Sequence, residues 1–279
     1  MKLLRTVGVL IGLALLAVLI TGVVSGVWTG VLLANLKYSP SIPWSAPIML
    51  AVLALLWWAM GGWGKRSSVR AISLRAAPLS ASVSLLALAA GLLSLAALVG
   101  FWIIEHRLVA TPPALRPDYS KLGAVTVLVM LATASISGGL SEEAGFRGYF
   151  QSAMERRGFG PLAILITALV MAPEHALTQG FVWPTMVFYL LVDIMLGALA
   201  YITKSIGPGI VVHAIGLFVF FDYVWPHDHE RLLISQSGPD QAFWLALGGM
   251  VVLGLAGVAA FFALARAARK ANREQAAAV

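Results

Sequence analysis

Two adjacent carboxylates and an arginine lie at the end of an apolar stretch, in the segment Ser141 to Arg147. Only 11% of the residues are charged, and ionisable groups near membrane depth are costly, so this cluster is the first candidate for chemistry. On a helix, Glu143 and Arg147 are four residues apart and face the same side, which suits an ion pair. Glu142 is rotated off that face and is left to point elsewhere. The spacing predicts different tasks for the two glutamates; an ordinary ion-paired helix end is the alternative.

A histidine in the next apolar stretch is expected at the same depth. Pro173 should kink that helix just before His175, because proline cannot donate a backbone hydrogen bond. The turn between the two helices is centred near Gly158, and Glu142 and His175 lie 16 and 17 residues from it. At about 1.5 Å per residue, both would sit roughly 25 Å from the turn if the helices are unbroken. The alternative is a histidine that is merely hydrogen-bonded in a helix interface.

A second histidine, His213, lies a turn or two into a later apolar helix. With Glu142 and His175 it completes a set able to bind water, polarise a carbonyl or ligate a metal. Asp193 is an intramembrane acid without an evident partner, for which Lys204 or a histidine is a candidate.

Composition decides the class of protein that must position these side chains. Hydrophobic residues make up 60% of the 279, and the mean hydropathy is +0.90, so we expect an integral membrane protein. The chain has no cysteine, which excludes disulfides, thiolate metal sites and cysteine nucleophiles. A net charge of +7 could indicate nucleic-acid binding, but in a membrane protein it reflects basic residues in cytoplasmic loops. We therefore expect no nucleic-acid partner.

Apolar stretches predict an all-α, polytopic membrane helix bundle of about eight transmembrane helices. The stretches run approximately over residues 7–33, 46–63, 81–104, 122–142, 161–177, 183–202, 206–224 and 242–265. With the N-terminus inside, 14 lysines and arginines fall on one side and 5 on the other, which places both termini in the cytoplasm. We expect a single integral membrane domain over 1–279, with the motif-bearing core at about 122–225. The expected location is the cytoplasmic membrane of a bacterium or archaeon.

The candidate residues together resemble the CAAX protease and bacteriocin-processing (CPBP) family, the membrane endopeptidases that include Ras-converting enzymes. That family carries Glu-Glu-x-x-x-Arg, Phe-x-x-x-His and His-x-x-x-Asn motifs on successive helices. The matching positions here, in that order, are Glu142, Glu143 and Arg147; Met171 and His175; and His213 and Leu217. Methionine thus replaces the usual phenylalanine, and leucine replaces the usual asparagine. The resemblance covers roughly Gly138 to Leu217.

The resemblance implies a glutamate-type intramembrane endopeptidase that acts on a membrane-anchored or lipidated peptide beside membrane lipid. The implied roles are Glu142 as general base, His175 as a holder of the attacking water, Glu143 and Arg147 as supports of the helix end, and His213 as an oxyanion donor. Leu217 cannot donate a hydrogen bond, so the oxyanion site would be weaker, differently built or lost.

Two alternatives stay open beside this water-only chemistry, which needs no cofactor. Glu142, His175 and His213 resemble a His-His-Glu zinc set, although the sequence lacks the His-Glu-x-x-His signature. The chain could also be a non-catalytic membrane scaffold or immunity-type protein that keeps the fold without turnover. Leu217 and Met171 favour that second alternative.

Overall fold

A computed structural model of the chain describes residues 2–63, 73–110, 119, 122–176 and 181–277. Every regular element in these ranges is helical, which confirms the predicted all-α bundle. The long helices, numbered in chain order, are α1 (Lys2–Tyr38), α2 (Ser45–Met60), α3 (Ala81–Leu108), α4 (Ala124–Glu142), α5 (Leu162–Met171), α6 (Trp183–Thr203), α7 (Gly207–Val219) and α8 (Gln241–Ala277). The chain continues from α4 as a π-helix (Glu143–Gln151) and a short turn of α-helix (Ser152–Glu155), and from α5 as a 3₁₀ turn (Ala172–His175). After α7 come a π-helix (Phe220–Val224), a 3₁₀ helix (Trp225–Glu230) and a short α-helix (Ile234–Ser237).

Each predicted apolar stretch contains one main helix, and two of these helices are shorter than the others. Within the described residues, six helices are long and apolar enough to cross a membrane, whereas α2 and the α5 segment fall below that length. The second stretch was expected to reach Trp63, yet α2 ends at Met60 because Gly61 adopts a left-handed backbone with φ 90°. Leu177, the expected end of the fifth stretch, lies outside the described residues. The count of eight membrane crossings stays a prediction.

Charged residues assigned to the same side of the membrane meet at the same end of the bundle. Arg75 and Lys204 both pair with Glu155, at 2.7 and 2.8 Å. Arg107, at the far end of the 28-residue α3, pairs with Asp240 at 3.0 Å. The predicted alternation of the loops agrees with these contacts, while the end that faces the cytoplasm stays a prediction. Five of the counted basic residues lie outside the described residues: Lys65, Arg66, Arg70, Arg116 and Lys121.

Small residues bring the helices around α4 into close contact. A Cβ atom on Gly139 would lie 3.0 Å from the backbone nitrogen of Ala214, so α4 and α7 approach nearly backbone to backbone. A Cβ atom on Gly145 would lie 3.1 Å from the Cα atom of Ala17, so α1 packs equally closely against the π-helix. This packing holds three separate parts of the chain around the end of α4.

Candidate functional site

The two glutamates lie where an α-helix changes into a π-helix. The predicted apolar stretch and α4 both end at residue 142, and the next nine residues, which include Glu143 and Arg147, form the π-helix. Gly145 and Gly148 weaken α-helix formation in this segment, since glycine gives up the most backbone freedom on folding. Long π-helices are rare, and short ones are frequent at functional sites.

Glu142 and Glu143 have different surroundings, as their spacing predicted. The Glu143 side chain is completely buried, whereas the Glu142 side chain is 19% exposed. Glu143 fits tightly against α7, because a Cβ atom on Gly209 would lie 2.5 Å from Glu143 Oε2. Glu143 is therefore part of the helix packing, whereas Glu142 can reach a bound molecule.

Arg147 is the hub of the buried polar groups. It is fully buried, and its Nη1 atom lies 3.3 Å from Glu143 Oε1, which is the ion pair expected from the sequence. Its Nη2 atom donates to Asp193 Oδ1 at 2.7 Å and to the Asp193 carbonyl oxygen at 3.3 Å. Its Nη1 atom also contacts the Met171 sulfur at 2.8 Å. The methionine that replaces the usual phenylalanine thus supplies an acceptor to the arginine.

The partner expected for Asp193 from the sequence, Lys204 or a histidine, is wrong. Asp193 pairs with Arg147, while Lys204, one of the expected partners, lies 2.8 Å from Glu155. The signal that could have found this pair is the scarcity of charge, since a buried acid and a buried base in such a chain are expected to pair. Asp193 therefore joins the candidate site as a second support of Arg147.

His213 lies between the two glutamates. Its Nδ1 atom is hydrogen-bonded to Glu143 Oε1 at 3.1 Å, and its Nε2 atom lies 3.4 Å from Glu142 Oε2. The imidazole is 7% exposed, so the packing holds it in place. The structure thus brings together the glutamate pair of α4 and the histidine of α7, which are 70 residues apart.

His175, at the end of α5, lies near the same group of side chains. The predicted break at Pro173 is confirmed, because the α-helix gives way there to the 3₁₀ turn that carries His175. The imidazole stacks on the ring of Tyr189, with centroids 3.7 Å apart and planes 13° from parallel. The charges of His213 and Arg147 act on it, so it belongs to the same electrostatic environment. Since both helices of the hairpin change type, the depth estimate for unbroken helices does not apply.

Leu217, at the position of the family asparagine, lies beside the open glutamate. A Cβ atom on Gly138 would lie 2.7 Å from Leu217 Cδ1 and 3.5 Å from Glu142 Oε1. The two side-chain atoms are thus within about 6 Å of each other. The apolar Leu217 side chain stands where the family motif would place a hydrogen-bond donor.

A metal centre has little support in the arrangement of the donors. Among the described ranges, no group of three or more His, Cys, Asp or Glu side chains is arranged to hold a metal ion. The zinc alternative stays a hypothesis for chelation to test.

Comparison with known proteins agrees with the motifs. Residues 124–219 match the family model described as Rce1-like, type II CAAX prenyl endopeptidase. This match supports the resemblance to the CPBP family for that segment of the chain. The matched segment runs from the start of α4 to the end of α7 and contains every motif residue described above. No curated protein and no solved structure matches the chain.

The family match and the helix content together describe the protein at a coarse level. Six long apolar helices in the described part of the chain and a membrane-protease family make it an integral, multi-pass membrane protein. The family supports a CAAX-type intramembrane protease.

Proposed function

We propose that this protein is an intramembrane endopeptidase in which Glu142 activates water with the help of His175. The substrate is a membrane-anchored or lipidated peptide, and a CAAX-type prenylated peptide is the first choice because the matching family is a CAAX prenyl endopeptidase. The proposed location is the cytoplasmic membrane of a bacterium or archaeon.

One observation carries this proposal, namely the state of the Glu142 carboxylate. The side chain is 19% exposed, and Oε2 makes no hydrogen bond to any described residue. A buried carboxylate oxygen without a protein donor is the group expected to hold a water molecule. Glu143 Oε2 also lacks a hydrogen-bond partner among the described residues, but the Glu143 side chain is completely buried and its Oε1 contacts Arg147 and His213, so Glu142 is the better candidate for the base.

The proposed reaction needs only this chain's residues, water and the peptide. Glu142 accepts a proton from the water while the water oxygen bonds to the scissile carbonyl carbon, with His175 orienting the water. The negative charge on the former carbonyl oxygen is stabilised by Nε2–H of a protonated His213, whose Nδ1–H stays on Glu143. The carbon–nitrogen bond then breaks, and Glu142 returns the proton to the departing amine. Water is consumed, and the second water proton passes from the new carboxylic acid to the amine, so that a carboxylate and an ammonium group are released.

Leu217 favours a second candidate function, a membrane scaffold that keeps the family's fold without turnover. Its side chain packs over Gly138 beside Glu142 and offers no donor to an oxyanion. Loss of one oxyanion donor lowers kcat by roughly 10²–10³-fold. A slow protease would therefore still show a measurable cleavage rate, whereas a scaffold would show none.

The test is cleavage of peptides in liposomes by the purified protein, followed by mass spectrometry. A prenylated peptide ending in a CAAX sequence is compared with the same peptide carrying an acyl anchor. Glu142→Ala and His175→Ala are expected to lower the rate by about 10²–10⁴, the usual contribution of acid–base groups. Glu274→Gln, at a position 67% exposed on the last helix, is the matched carboxylate control and should cleave like the wild type. Equal rates for all four proteins would refute the catalytic assignment.

A further inference from the structure

A side chain of the amino-terminal helix contacts the turn that carries His175. Thr21 Oγ1, on α1, lies 2.7 Å from Glu174 Oε1, and Glu174 directly precedes His175. Thr21 is 4% exposed, so the contact is buried. The helix that provides it lies outside the segment matched by the family, residues 124–219. The sequence motifs therefore assign it no role.

The same face of α1 also contacts the segment that carries the glutamates. Ala17 and Thr21 are four residues apart and share one face of the helix. Ala17 packs against Gly145 of the π-helix, with Phe146 and Phe150 in the same apolar cluster. One helix face thus touches both halves of the site, the glutamate segment through Ala17 and the histidine turn through Thr21.

The turn that carries His175 lies where the regular hydrogen bonding of α5 ends. Pro173 removes a backbone donor there, and the imidazole stacks on the ring of Tyr189. Thr21 Oγ1 also lies 3.0 Å from the Val18 carbonyl oxygen and 3.2 Å from that of Ala17. The Glu174 oxygen is the nearest of the three acceptors, and a charged acceptor makes the stronger bond.

We propose that Thr21 and Glu174 are positioning residues, which hold the His175 turn against α1 so that the imidazole faces Glu142 and His213. The inference rests on the proposed proteolytic function, because it assigns α1 a part in that same site. The proposal predicts that the Thr21 hydroxyl, which is distant from the family motifs in sequence, affects the rate of the chemical step.

Four variants test the contact: Thr21→Val, Thr21→Ser, Glu174→Leu and the double variant. Thr21→Val keeps the shape of the side chain and removes the donor, so kcat should fall by about 10- to 100-fold, since small misplacements cost up to about that much. KM should stay within about twofold, because neither residue binds the peptide. Thr21→Ser restores the hydroxyl and should recover most of the wild-type kcat. The double variant Thr21→Val with Glu174→Leu should lose no more activity than the worse of the two single variants, since each single variant removes the same bond.

A second readout does not depend on activity. Hydrogen exchange of the backbone amides at residues 172–176 should rise in Thr21→Val and return to the wild-type level in Thr21→Ser. Wild-type kcat and unchanged exchange in Thr21→Val, or losses that multiply in the double variant, would overturn the positioning role. If wild type and Glu142→Ala cleave equally while exchange still rises in Thr21→Val, the contact stands and the proposed proteolytic function fails instead.

Discussion

Removal of the Asp193 carboxylate should destabilise the protein strongly. In Asp193→Ala, Arg147 loses its 2.7 Å partner while remaining completely buried. Breaking a buried ion pair by removing one partner costs about 3–5 kcal/mol, because the remaining charge is left uncompensated. Glu143 still lies 3.3 Å from the guanidinium, so we expect the lower end of that range, about 3 kcal/mol. This corresponds to roughly a hundredfold change in the unfolding equilibrium.

The measurement is equilibrium unfolding in mixed detergent micelles, followed by circular dichroism. Lys204→Ala is the matched control, since Lys204 also pairs at 2.8 Å but is 53% exposed. Surface ion pairs contribute about 0–1 kcal/mol, so this control should unfold almost like the wild type. Asp193→Asn keeps an acceptor for Arg147 and should lie between the two. If Asp193→Ala costs no more than Lys204→Ala, the guanidinium is not held as described.

Three further predictions concern the site itself. Gly209→Ala should lower kcat at least about tenfold and destabilise the fold by about 1–3 kcal/mol, because the added Cβ would meet Glu143 Oε2 at 2.5 Å. Leu217→Asn should raise the cleavage rate about tenfold or more, since it offers a donor to the oxyanion beside Glu142. Incubation with a zinc chelator, followed by metal analysis and an activity assay, should leave the rate unchanged, because the proposed reaction uses water and side chains alone.

Each of these predictions has its own control and its own contrary result. Gly8→Ala places a Cβ in open space and should leave activity unchanged, so an equal loss in both glycine variants would contradict the crowding at Glu143. Leu217→Ala removes the same bulk without adding a donor, and a rate gain equal to that of Leu217→Asn would point to space rather than hydrogen bonding. Stoichiometric zinc in the purified protein, with activity lost on its removal and restored on its return, would favour the zinc alternative.

Prediction from sequence worked best where the contacts are local or follow from composition. An apolar excess requires helices in a bilayer, since each backbone group must be paired within its own segment. The pairing of Glu143 with Arg147 follows from helical periodicity, which is local. The break before His175 follows from the covalent structure of Pro173, which removes a backbone donor whatever surrounds it.

Contacts between residues far apart in the sequence could not be predicted from composition or helical spacing. Arg147 and Asp193 are 46 residues apart, Arg147 and Met171 are 24 apart, and Thr21 and Glu174 are 153 apart. Periodicity predicts which face of a helix a residue occupies but not which helix packs there. The π-helix was equally hidden, because local propensity does not distinguish it from an α-helix with two glycines.

The sequence by itself determined a helical membrane protein. It also indicated two glutamates with different tasks and two histidines as candidates for chemistry. Composition, spacing and proline chemistry suffice for that, since each acts within one segment. Only the tertiary structure decided that His213 lies between the glutamates, that Asp193 holds Arg147, and that α1 contacts the His175 turn. Those contacts depend on how closely small residues such as Gly139 and Gly145 let separate helices approach, which is a property of the packed bundle.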